Sequence, residues 1–258
     1  MNHINEAKNP DPGHLKLVDE LVVWIEKNQP RCPTFFSNFA VQQRVRIAHD
    51  LAMVENYFTP NQKLLDVASL PFLLSGTMHR LGYDIRAVDL APERMQETVD
   101  HLGLKAIRCD IERETLPFED ESLDGIIFNI VFEHMRIDLI HTLGEMHRVV
   151  KKGGTLLLCT PNALSFSKII RIIREGRLGP DIYRQYSYLK TVGHMGHVRE
   201  YTVVEVTDFL EKMGFTILNV IHRSLCLPPQ GRMAMVADVI CRIFPRFKPL
   251  FTIVAVKT

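Results

Sequence analysis

The sequence lacks three features that would assign it early to a protein class. Its five cysteines are scattered and odd in number, so neither a disulfide framework nor a cysteine-based zinc site is expected. It has no run of 18 apolar residues, so no transmembrane segment is expected. Its formal net charge is only +1, which gives no electrostatic argument for a nucleic-acid partner.

The composition is otherwise ordinary for a globular protein, with 46% hydrophobic and 24% charged residues among 258. The N-terminal stretch has no apolar signal core and the scattered thiols fit a reducing compartment, so we expect a cytoplasmic location. The stretch 232–247 mixes apolar residues with arginines, which leaves peripheral membrane contact open as an alternative. A helix packed on the domain is the favoured interpretation of this stretch.

Hydrophobic periodicity divides the chain at about residue 60. An N-terminal helical extension, residues 1–60, contains predicted helices at Leu15–Lys27 and Asn38–Asn56. Farther along, short apolar runs alternate with helical stretches, which predicts right-handed crossovers and a mostly parallel sheet. The predicted strands are Lys63–Val67, Ile85–Val88, Ala106–Cys109, Leu123–Asn129, Thr155–Cys159, Phe215–His222 and Phe251–Val256. The helices predicted among them are Leu73–Leu81, Pro92–Leu102, Asp138–Val150, Leu164–Glu175, Val203–Met213 and Arg232–Phe244.

The fold class that follows is α/β, a doubly wound, mostly parallel seven-stranded sheet with an antiparallel last strand. Residues 61–258 are expected to form this domain, behind the N-terminal helices. A segment at about 176–202, rich in glycine, tyrosine and histidine, interrupts the alternation and is interpreted as a cap insertion. In such sheets ligands bind at the carboxyl ends of the strands, where the strand order reverses.

Acidic residues stand near the ends of the first three predicted strands. Asp89 ends the second strand, 20 residues beyond Ser69, where a carboxylate can accept both hydroxyls of a ribose. A helix N-cap is the alternative role for Asp89. After the third strand, Asp110 can accept the adenine amino group while Ile111 flanks the ring. Glu133 follows the fourth strand and either faces the cofactor or only starts the next helix.

Taken together, four short motifs resemble the class I S-adenosylmethionine-dependent methyltransferases. They are Asp66–Phe72, Val88–Pro92, Arg108–Glu112 and Asn129–His134, and the resemblance covers roughly Lys63 to Asn162. It implies S-adenosylmethionine as cofactor. The cofactor-binding residues that it implies are Asp66, Ala68, Ser69, Asp89, Leu90, Asp110, Ile111 and Asn129.

A second resemblance concerns the acceptor. Thr160-Pro161-Asn162, the Gly193–Thr202 segment and Gly214-Phe215 are similar to a subgroup associated with sugar and polysaccharide modification. One departure from the class is clear. Its first loop usually reads Asp-x-Gly-x-Gly-x-Gly, whereas Asp66–Phe72 contains no glycine. The missing glycines also argue against a nicotinamide dehydrogenase, whose pyrophosphate needs them.

The function that these resemblances imply is O-methylation of a small or carbohydrate-like acceptor. A hydroxyl acceptor profits from a general base, and the candidate bases are His134, His194 and His197. Candidate substrate-binding residues are Arg199, Tyr201 and Tyr186. Packing roles remain open for all of them, as does a surface pair between Arg199 and Glu200. His194-x-x-His197 has the spacing of a metal pair, but no metal is expected because no carboxylate motif accompanies it.

Two further functions remain open at this point. The chain could be a degenerate methyltransferase fold that acts as a binding or scaffold module, as the glycine-free loop suggests. It could also methylate a protein or a lipid instead of a small acceptor. The acceptor and the oligomeric state are not specified by the sequence.

Overall fold

The computed structural model describes residues 10–28, 34–179, 181–192, 196–224 and 232–258, which contain nine α-helices and seven strands. The helices are α1 (Pro12–Asn28), α2 (Thr34–Tyr57), α3 (Leu73–Arg80), α4 (Gln96–Leu102), α5 (Leu139–Val149), α6 (Phe166–Glu175), α7 (Ile182–Val192), α8 (Val203–Lys212) and α9 (Arg232–Ile243). The strands are β1 (Lys63–Val67), β2 (Asp84–Asp89), β3 (Lys105–Arg108), β4 (Leu123–Asn129), β5 (Val150–Pro161), β6 (Phe215–Arg223) and β7 (Leu250–Lys257). Short 3-10 turns lie at Pro92–Met95, Phe132–His134 and Pro245–Phe247.

All seven strands belong to one sheet with the order β3-β2-β1-β4-β5-β7-β6. Strands β1 to β5 are parallel, and β7 is antiparallel to both of its neighbours, β5 and β6. The predicted fold class, a mostly parallel seven-stranded sheet with an antiparallel last strand, is confirmed. Strand order reverses between β1 and β4, so the loops that follow these two strands flank the crevice in which such sheets bind ligands.

Successive residues of the central strands point into two hydrophobic cores, one on each face of the sheet. Leu64 belongs to the core beneath α1 to α4, and Leu65 to the core beneath α5 and α8. Because helices cover both faces, the central strands are apolar on both sides, as predicted. Leu21 of α1 and Leu51 of α2 lie in the same core as Leu64. The N-terminal helices therefore pack on the sheet, and the division of the chain at residue 60 stays a prediction.

Helix α2 runs along the sheet from the crevice, at the carboxyl ends of the strands, towards their amino ends. At the crevice, Asp50 accepts a hydrogen bond of 2.8 Å from the amide of Asn129, the last residue of β4. Beyond the other end of the helix, a Cβ atom at Gly125 would lie only 2.2 Å from the Phe58 ring. Glycine at this position therefore lets Phe58 lie directly on β4 and keeps α2 close to the sheet.

Several predicted boundaries differ from the structure, and in two elements the local structure differs as well. The helix predicted over Pro92–Leu102 is a 3-10 turn followed by α4. Strand β5 begins at Val150 and not at the predicted Thr155, so Gly153 and Gly154 lie within the strand. The register with β4 shifts at this point, which accommodates the additional residues as an irregularity of the strand pair.

The last helix, α9, lies in the connection between β6 and β7, as predicted. It contacts α6, yet Met235 and Ile243 are 59% and 65% exposed. Peripheral membrane contact through this helix stays a prediction. In the part of the chain that is described, no helix combines the length and the apolar character needed to cross a bilayer.

Candidate active site

The loop between β1 and α3 has the backbone shape of a glycine-rich loop without the glycines. Ala68 and Phe72 have φ angles of 55° and 63°, in the left-handed region that favours glycine. They stand at the first and third glycine positions of the family motif. The Ala68 amide donates a 2.8 Å hydrogen bond to the Val88 carbonyl, which fixes the loop to β2. The loop therefore differs from the family motif in residue type, but residues 68 and 72 keep the left-handed backbone conformation.

Asp66 lies beneath this loop and is almost completely buried. It accepts a hydrogen bond of 2.5 Å from the Ser69 hydroxyl, whose oxygen lies 2.5 Å from that of Ser75. Burial raises the pKa of Asp66 to about 7, although the hydrogen bonds from Ser69 and Ser75 oppose this shift. Asp66 can therefore change its charge near neutral pH when a cation approaches.

Asp89 ties the loops after β1 and β2 together. Its carboxylate accepts hydrogen bonds of 3.1 Å from the Leu70 amide and 3.1 Å from the Ala91 amide. Burial raises its pKa despite these bonds. The residue that caps the following 3-10 turn is Ala91, so the alternative role of Asp89 as a helix N-cap is wrong.

The adenine side of the predicted site lies next to Asp89. The Cys109 amide, directly after β3, donates a 2.9 Å hydrogen bond to the Asp89 carbonyl, which brings Asp110 to the neighbouring strand end. Asp110 accepts from the Glu112 amide at 3.2 Å. Leu90 is 55% exposed, whereas Ile111 is buried in the core. Leu90 therefore offers an exposed apolar surface beside Asp89, whereas the predicted contact of Ile111 with the adenine ring stays a prediction.

A small cavity of about 60 Å³ separates the loop after β1 from α2. The described residues that line it include Asp66, Ala68, Ser69, Asn129 and, from α2, Arg46. The Asn129 side-chain oxygen is buried without a hydrogen-bond partner among the described residues. Sequence reasoning missed Arg46, because nothing in the pattern of α2 distinguishes this arginine from its neighbour Arg44.

A buried ionic network holds α2 over this cavity. Asp50 pairs with Arg46 at 2.7 Å and with Arg223 of β6 at 2.5 Å, and all three side chains are buried. Burial alone would raise the pKa of Asp50, but the two guanidinium groups outweigh it and hold the pKa below its ordinary value. A residue of β6 therefore helps to position the cover of a site formed by β1 and β4.

On the other side of the crevice, Glu133, His134 and His197 form a compact cluster. One ligand-type atom from each residue lies within 4.8 Å of the others. Glu133 is completely buried, and its Oε1 atom lies 3.9 Å from Nε2 of His134 and 3.9 Å from Nε2 of His197. Burial raises the pKa of Glu133, while the nearby His197 opposes this effect. The Glu133 carboxylate therefore points towards the two histidines, and a role towards the cofactor stays a prediction.

Each member of the cluster is held by a further contact. Glu133 Oε2 accepts a 2.8 Å hydrogen bond from the Thr160 hydroxyl of β5. Nδ1 of His134 lies 2.7 Å from the Gly196 carbonyl oxygen, and Nδ1 of His197 lies 2.8 Å from a carboxylate oxygen of Glu200. Since both oxygens can only accept, each Nδ1 atom donates, and in the neutral form of each imidazole the Nε2 atom carries the lone pair.

A cavity of about 830 Å³, called the cap cavity after the predicted cap insertion, lies between α6, α7 and the segment 196–200. This volume lies within the range of small-molecule sites, ~300–1,000 Å³. His197 lines the cavity and also belongs to the cluster, so it connects the two. Among the described residues, five cationic and three anionic side chains line the cavity: Lys168, Arg171, Arg177, Arg184, Arg199, Glu175, Asp181 and Glu200.

The predicted surface pair between Arg199 and Glu200 does not form. Arg199 pairs with Glu205 at 2.6 Å and lies over the Tyr201 ring. Glu200 instead pairs with His197 and Lys168.

The other predicted acceptor residues are dispersed. Tyr201 packs edge-on against Phe132 with ring centres 4.9 Å apart, and its ring is partly buried against the core. Tyr186 is 54% exposed on α7 and lies outside the cavity lining, which instead includes Tyr188. His194 lies outside the described residues. Of the three candidate bases, the structure brings His134 and His197 together, with ring centres 5.0 Å apart.

Part of the chain that carries this site is similar to known proteins. Residues 65–158 match the family described as "Methyltransferase domain". A "Probable S-adenosylmethionine-dependent methyltransferase" of Mycolicibacterium smegmatis is 31% identical over 133 residues, which cover 49% of this chain and 44% of the relative. The ubiquinone biosynthesis O-methyltransferase of Xanthomonas campestris pv. campestris is 30% identical over 107 residues, 40% of this chain and 44% of the relative. The chain thus spans less than half the length of these curated relatives.

Solved structures extend the likeness to the fold of most of the chain. A SAM-dependent methyltransferase from Archaeoglobus fulgidus superposes with a TM-score of 0.58 at 16% identity, over 85% of this chain and 99% of that one. An S-adenosylmethionine-dependent methyltransferase from Mesorhizobium loti gives a TM-score of 0.56 at 16% identity, over 81% and 97% of the two chains. At this identity the likeness concerns the fold alone.

Proposed function

We propose that the whole chain acts as an S-adenosylmethionine-dependent methyltransferase that transfers the methyl group to an oxygen of its acceptor. Residues 65–158 match the methyltransferase-domain family, and solved methyltransferase structures share the fold of the surrounding elements, which supports the proposal. The observation that carries the proposal is the position of the Glu133, His134 and His197 cluster. It lies on the crevice beside the predicted cofactor residues and opens through His197 to the cap cavity.

The residues of the crevice fit the cofactor in charge and in hydrogen bonding. The unpartnered Asn129 oxygen and the Asp66 carboxyl can accept from the ammonium group of the methionine tail, and Arg46 can pair with its carboxylate. Asp89 and Asp110 would bind the ribose and the adenine amino group, as expected from the sequence. When bound, S-adenosylmethionine supplies an activated methyl group on a positively charged sulfur.

The protein has two tasks in this transfer. The first is to hold the acceptor oxygen in line with the methyl carbon and the sulfur, and alignment of this kind can supply effective molarities of ~10⁵ M or more. The second is to remove the proton of the acceptor hydroxyl, which is typically worth about 10²–10⁴ in rate. The new bond joins oxygen to the methyl carbon while the carbon–sulfur bond breaks, and its electron pair returns to sulfur. The proton leaves through the cluster that contains His134 and His197.

The cap cavity suits a polar acceptor that carries a negative charge. Cationic side chains exceed anionic ones along its described lining. Lys168, Arg184 and Arg199 already contact other side chains, whereas the Nε atom of Arg171 is buried without a hydrogen-bond partner among the described residues. A carboxylate or phosphate on the acceptor would satisfy it. A charged, carbohydrate-like hydroxyl compound fits this chemistry, with Tyr188 as a stacking surface.

Transfer of a radioactive methyl group tests the proposal. The purified protein is incubated with labelled S-adenosylmethionine and with extracts separated into small molecules, glycans, proteins and lipids. We expect label in an acidic small-molecule or glycan fraction. Arg171→Met should raise the KM for that acceptor, whereas Arg174→Met, on the same helix but outside the cavity lining, should leave it unchanged.

Other outcomes separate the alternatives. Label confined to protein or lipid would contradict the proposed acceptor and leave methyl transfer intact. Failure to bind S-adenosylmethionine at millimolar concentration in calorimetry would instead favour a binding or scaffold module. The residues at 68 and 72, where the family has glycine, are the observation that motivates this second candidate.

A further inference from the structure

We propose that Glu133, His134 and His197 bind a divalent first-row transition-metal ion. The three residues present two imidazole nitrogens and one carboxylate oxygen towards a common centre. The Glu133 oxygen is 3.9 Å from each Nε2 atom, too far for a hydrogen bond. Small inward movements of the three side chains would bring every donor to ~2.0–2.2 Å from one ion, the usual length of zinc bonds to imidazole and carboxylate.

The buried oxygen of Glu133 is the second observation that points to an ion. Glu133 is completely buried, and its Oε1 atom has no hydrogen-bond partner among the described residues. An unpaired carboxylate in a protein interior is strongly disfavoured and is normally paired or bound to a metal. This oxygen faces the Nε2 atoms of His134 and His197, so a cation at the centre would pair with the Glu133 oxygen and take both imidazole nitrogens as ligands.

The contacts behind the three side chains have the arrangement found around metal ligands. Metal-bound histidines almost always donate their second ring nitrogen to a carbonyl or a carboxylate, which fixes the ring and the tautomer. His134 donates to the Gly196 carbonyl, and His197 donates to Glu200. Glu133 is oriented in the same way by the Thr160 hydroxyl. Lys168 in turn pairs with Glu200, so the support of His197 is itself held in place.

The donor set indicates the class of ion. Two imidazoles and one carboxylate suit zinc, iron, cobalt or manganese better than magnesium or calcium, which prefer oxygen ligands. Three protein ligands leave at least one position open, as in catalytic zinc sites. The His197 side chain is 36% exposed towards the cap cavity, so the open position is reachable from there.

An ion at this centre would define the role of the cluster in the proposed reaction. A hydroxyl bound to a divalent ion loses its proton more readily, as metal-bound water does. The two imidazoles would then act as ligands and not as bases, and the proton would pass to water in the cap cavity. This catalytic part rests on the proposed function, whereas ion binding stands without it.

Cobalt titration of the untagged, chelator-treated full chain tests the site directly. We expect one Co²⁺ per chain, visible d–d absorption and displacement by Zn²⁺. His134→Ala, His197→Ala and Glu133→Gln should each weaken binding at least tenfold, since loss of a supporting residue alone typically costs about 10- to 100-fold. Glu133→Gln keeps an oxygen that can accept from Thr160, so it separates ion binding from folding.

His141→Ala is the matched control. His141 is also partly exposed and hydrogen-bonded to a backbone carbonyl, that of Glu114, but it lies outside the cluster. We expect its variant to bind Co²⁺ like the unmodified protein. Should a histidine variant of the cluster unfold, Glu200→Gln reports on the site through His197 and should weaken binding about tenfold. The proposal is overturned by an absence of d–d absorption at millimolar Co²⁺, or by equal affinities of the His141 and cluster variants.

Methyl transfer gives the separate readout for the catalytic part. Chelation should abolish transfer and added Zn²⁺ or Co²⁺ should restore it. Ion binding without any transfer would refute the proposed function and leave the ion site standing. Transfer that is indifferent to chelation would refute the catalytic role of the ion.

Discussion

The two halves of the crevice are built in opposite ways. The half beneath α2 is closed: a cavity of about 60 Å³ is bounded by residues already joined to each other, above all through Asp50 and Asp89. The half beneath the cap is open, with about 830 Å³ and charged side chains along its walls. From this difference we expect cofactor binding to depend on a few buried polar contacts. Acceptor binding should depend on which side chains line a large cavity.

Replacement of Asp50, in the closed half, should cause the largest loss of stability. Asp50→Ala leaves the buried Arg46 and Arg223 without their shared carboxylate, and removing one partner of a buried ion pair costs about 3–5 kcal/mol. Thermal unfolding should show a Tm lower by about 6–20 °C. Asp19→Ala is the control, because the exposed Asp19–Arg44 pair contributes at most about 1 kcal/mol. Similar losses from both substitutions would contradict the structural role given to the network.

Replacement of Asp89 should affect ligand affinity, whereas replacement of Asp50 should affect the stability of the fold. Asp89→Ala is expected to weaken S-adenosylhomocysteine binding by about 10- to 150-fold, because a hydrogen bond to a charged group is worth about 1.5–3 kcal/mol. Isothermal calorimetry measures this change. Asp84→Ala, at the opposite end of the same strand, should leave the affinity unaltered. An unaltered Kd for the Asp89 variant would remove the main support for the adenosine site.

The pH dependence of cofactor binding tests the charge of Asp66. Its pKa of about 7 means that the free protein holds a proton there below neutral pH. A bound ammonium group lowers that pKa, so binding must release the proton and affinity should rise with pH up to about 7, then level off. The steepest slope is about tenfold per pH unit. Calorimetry with S-adenosylhomocysteine between about pH 5.5 and 7.5 should show this slope, and Asp66→Asn should abolish it.

The smallest expected effect concerns the glycine-free loop. Ala68→Gly relieves a left-handed residue, worth ~1–2 kcal/mol, against an entropic cost of ~0.5–1 kcal/mol. We expect a gain of about 0.5–1 kcal/mol in the free energy of unfolding, measured by urea denaturation. Phe72→Gly relieves the same angle but empties a buried position, so it should lose about 3–5 kcal/mol. A destabilised Ala68 variant would show that the alanine methyl packs usefully in the loop.

Sequence reasoning reached the residues of the closed half more directly than those of the open half. Asp89 and Asp110 follow strand ends that periodicity identifies, whereas Asp66 is implied by the resemblance to the methyltransferase class, and the roles of all three stay predictions. Glu133 and His197 lie 64 positions apart, and no local pattern connects them. Their meeting depends on the Val198 amide, which donates a 2.8 Å hydrogen bond to the Glu133 carbonyl. Arg46 was missed for the same reason, since its role depends on how α2 crosses the sheet.

The position of β7 has a consequence for biosynthesis. Because β6 pairs only with β7 among the described strands, β6 cannot join the sheet until residues 250–257 have been synthesised and inserted. Arg223, which anchors Asp50 and therefore α2, is carried on β6. Helix α2, which is synthesised before β6 and β7, thus gains its attachment over the crevice only after β7 has joined the sheet, so folding of this crevice finishes after translation of β7 and not during it.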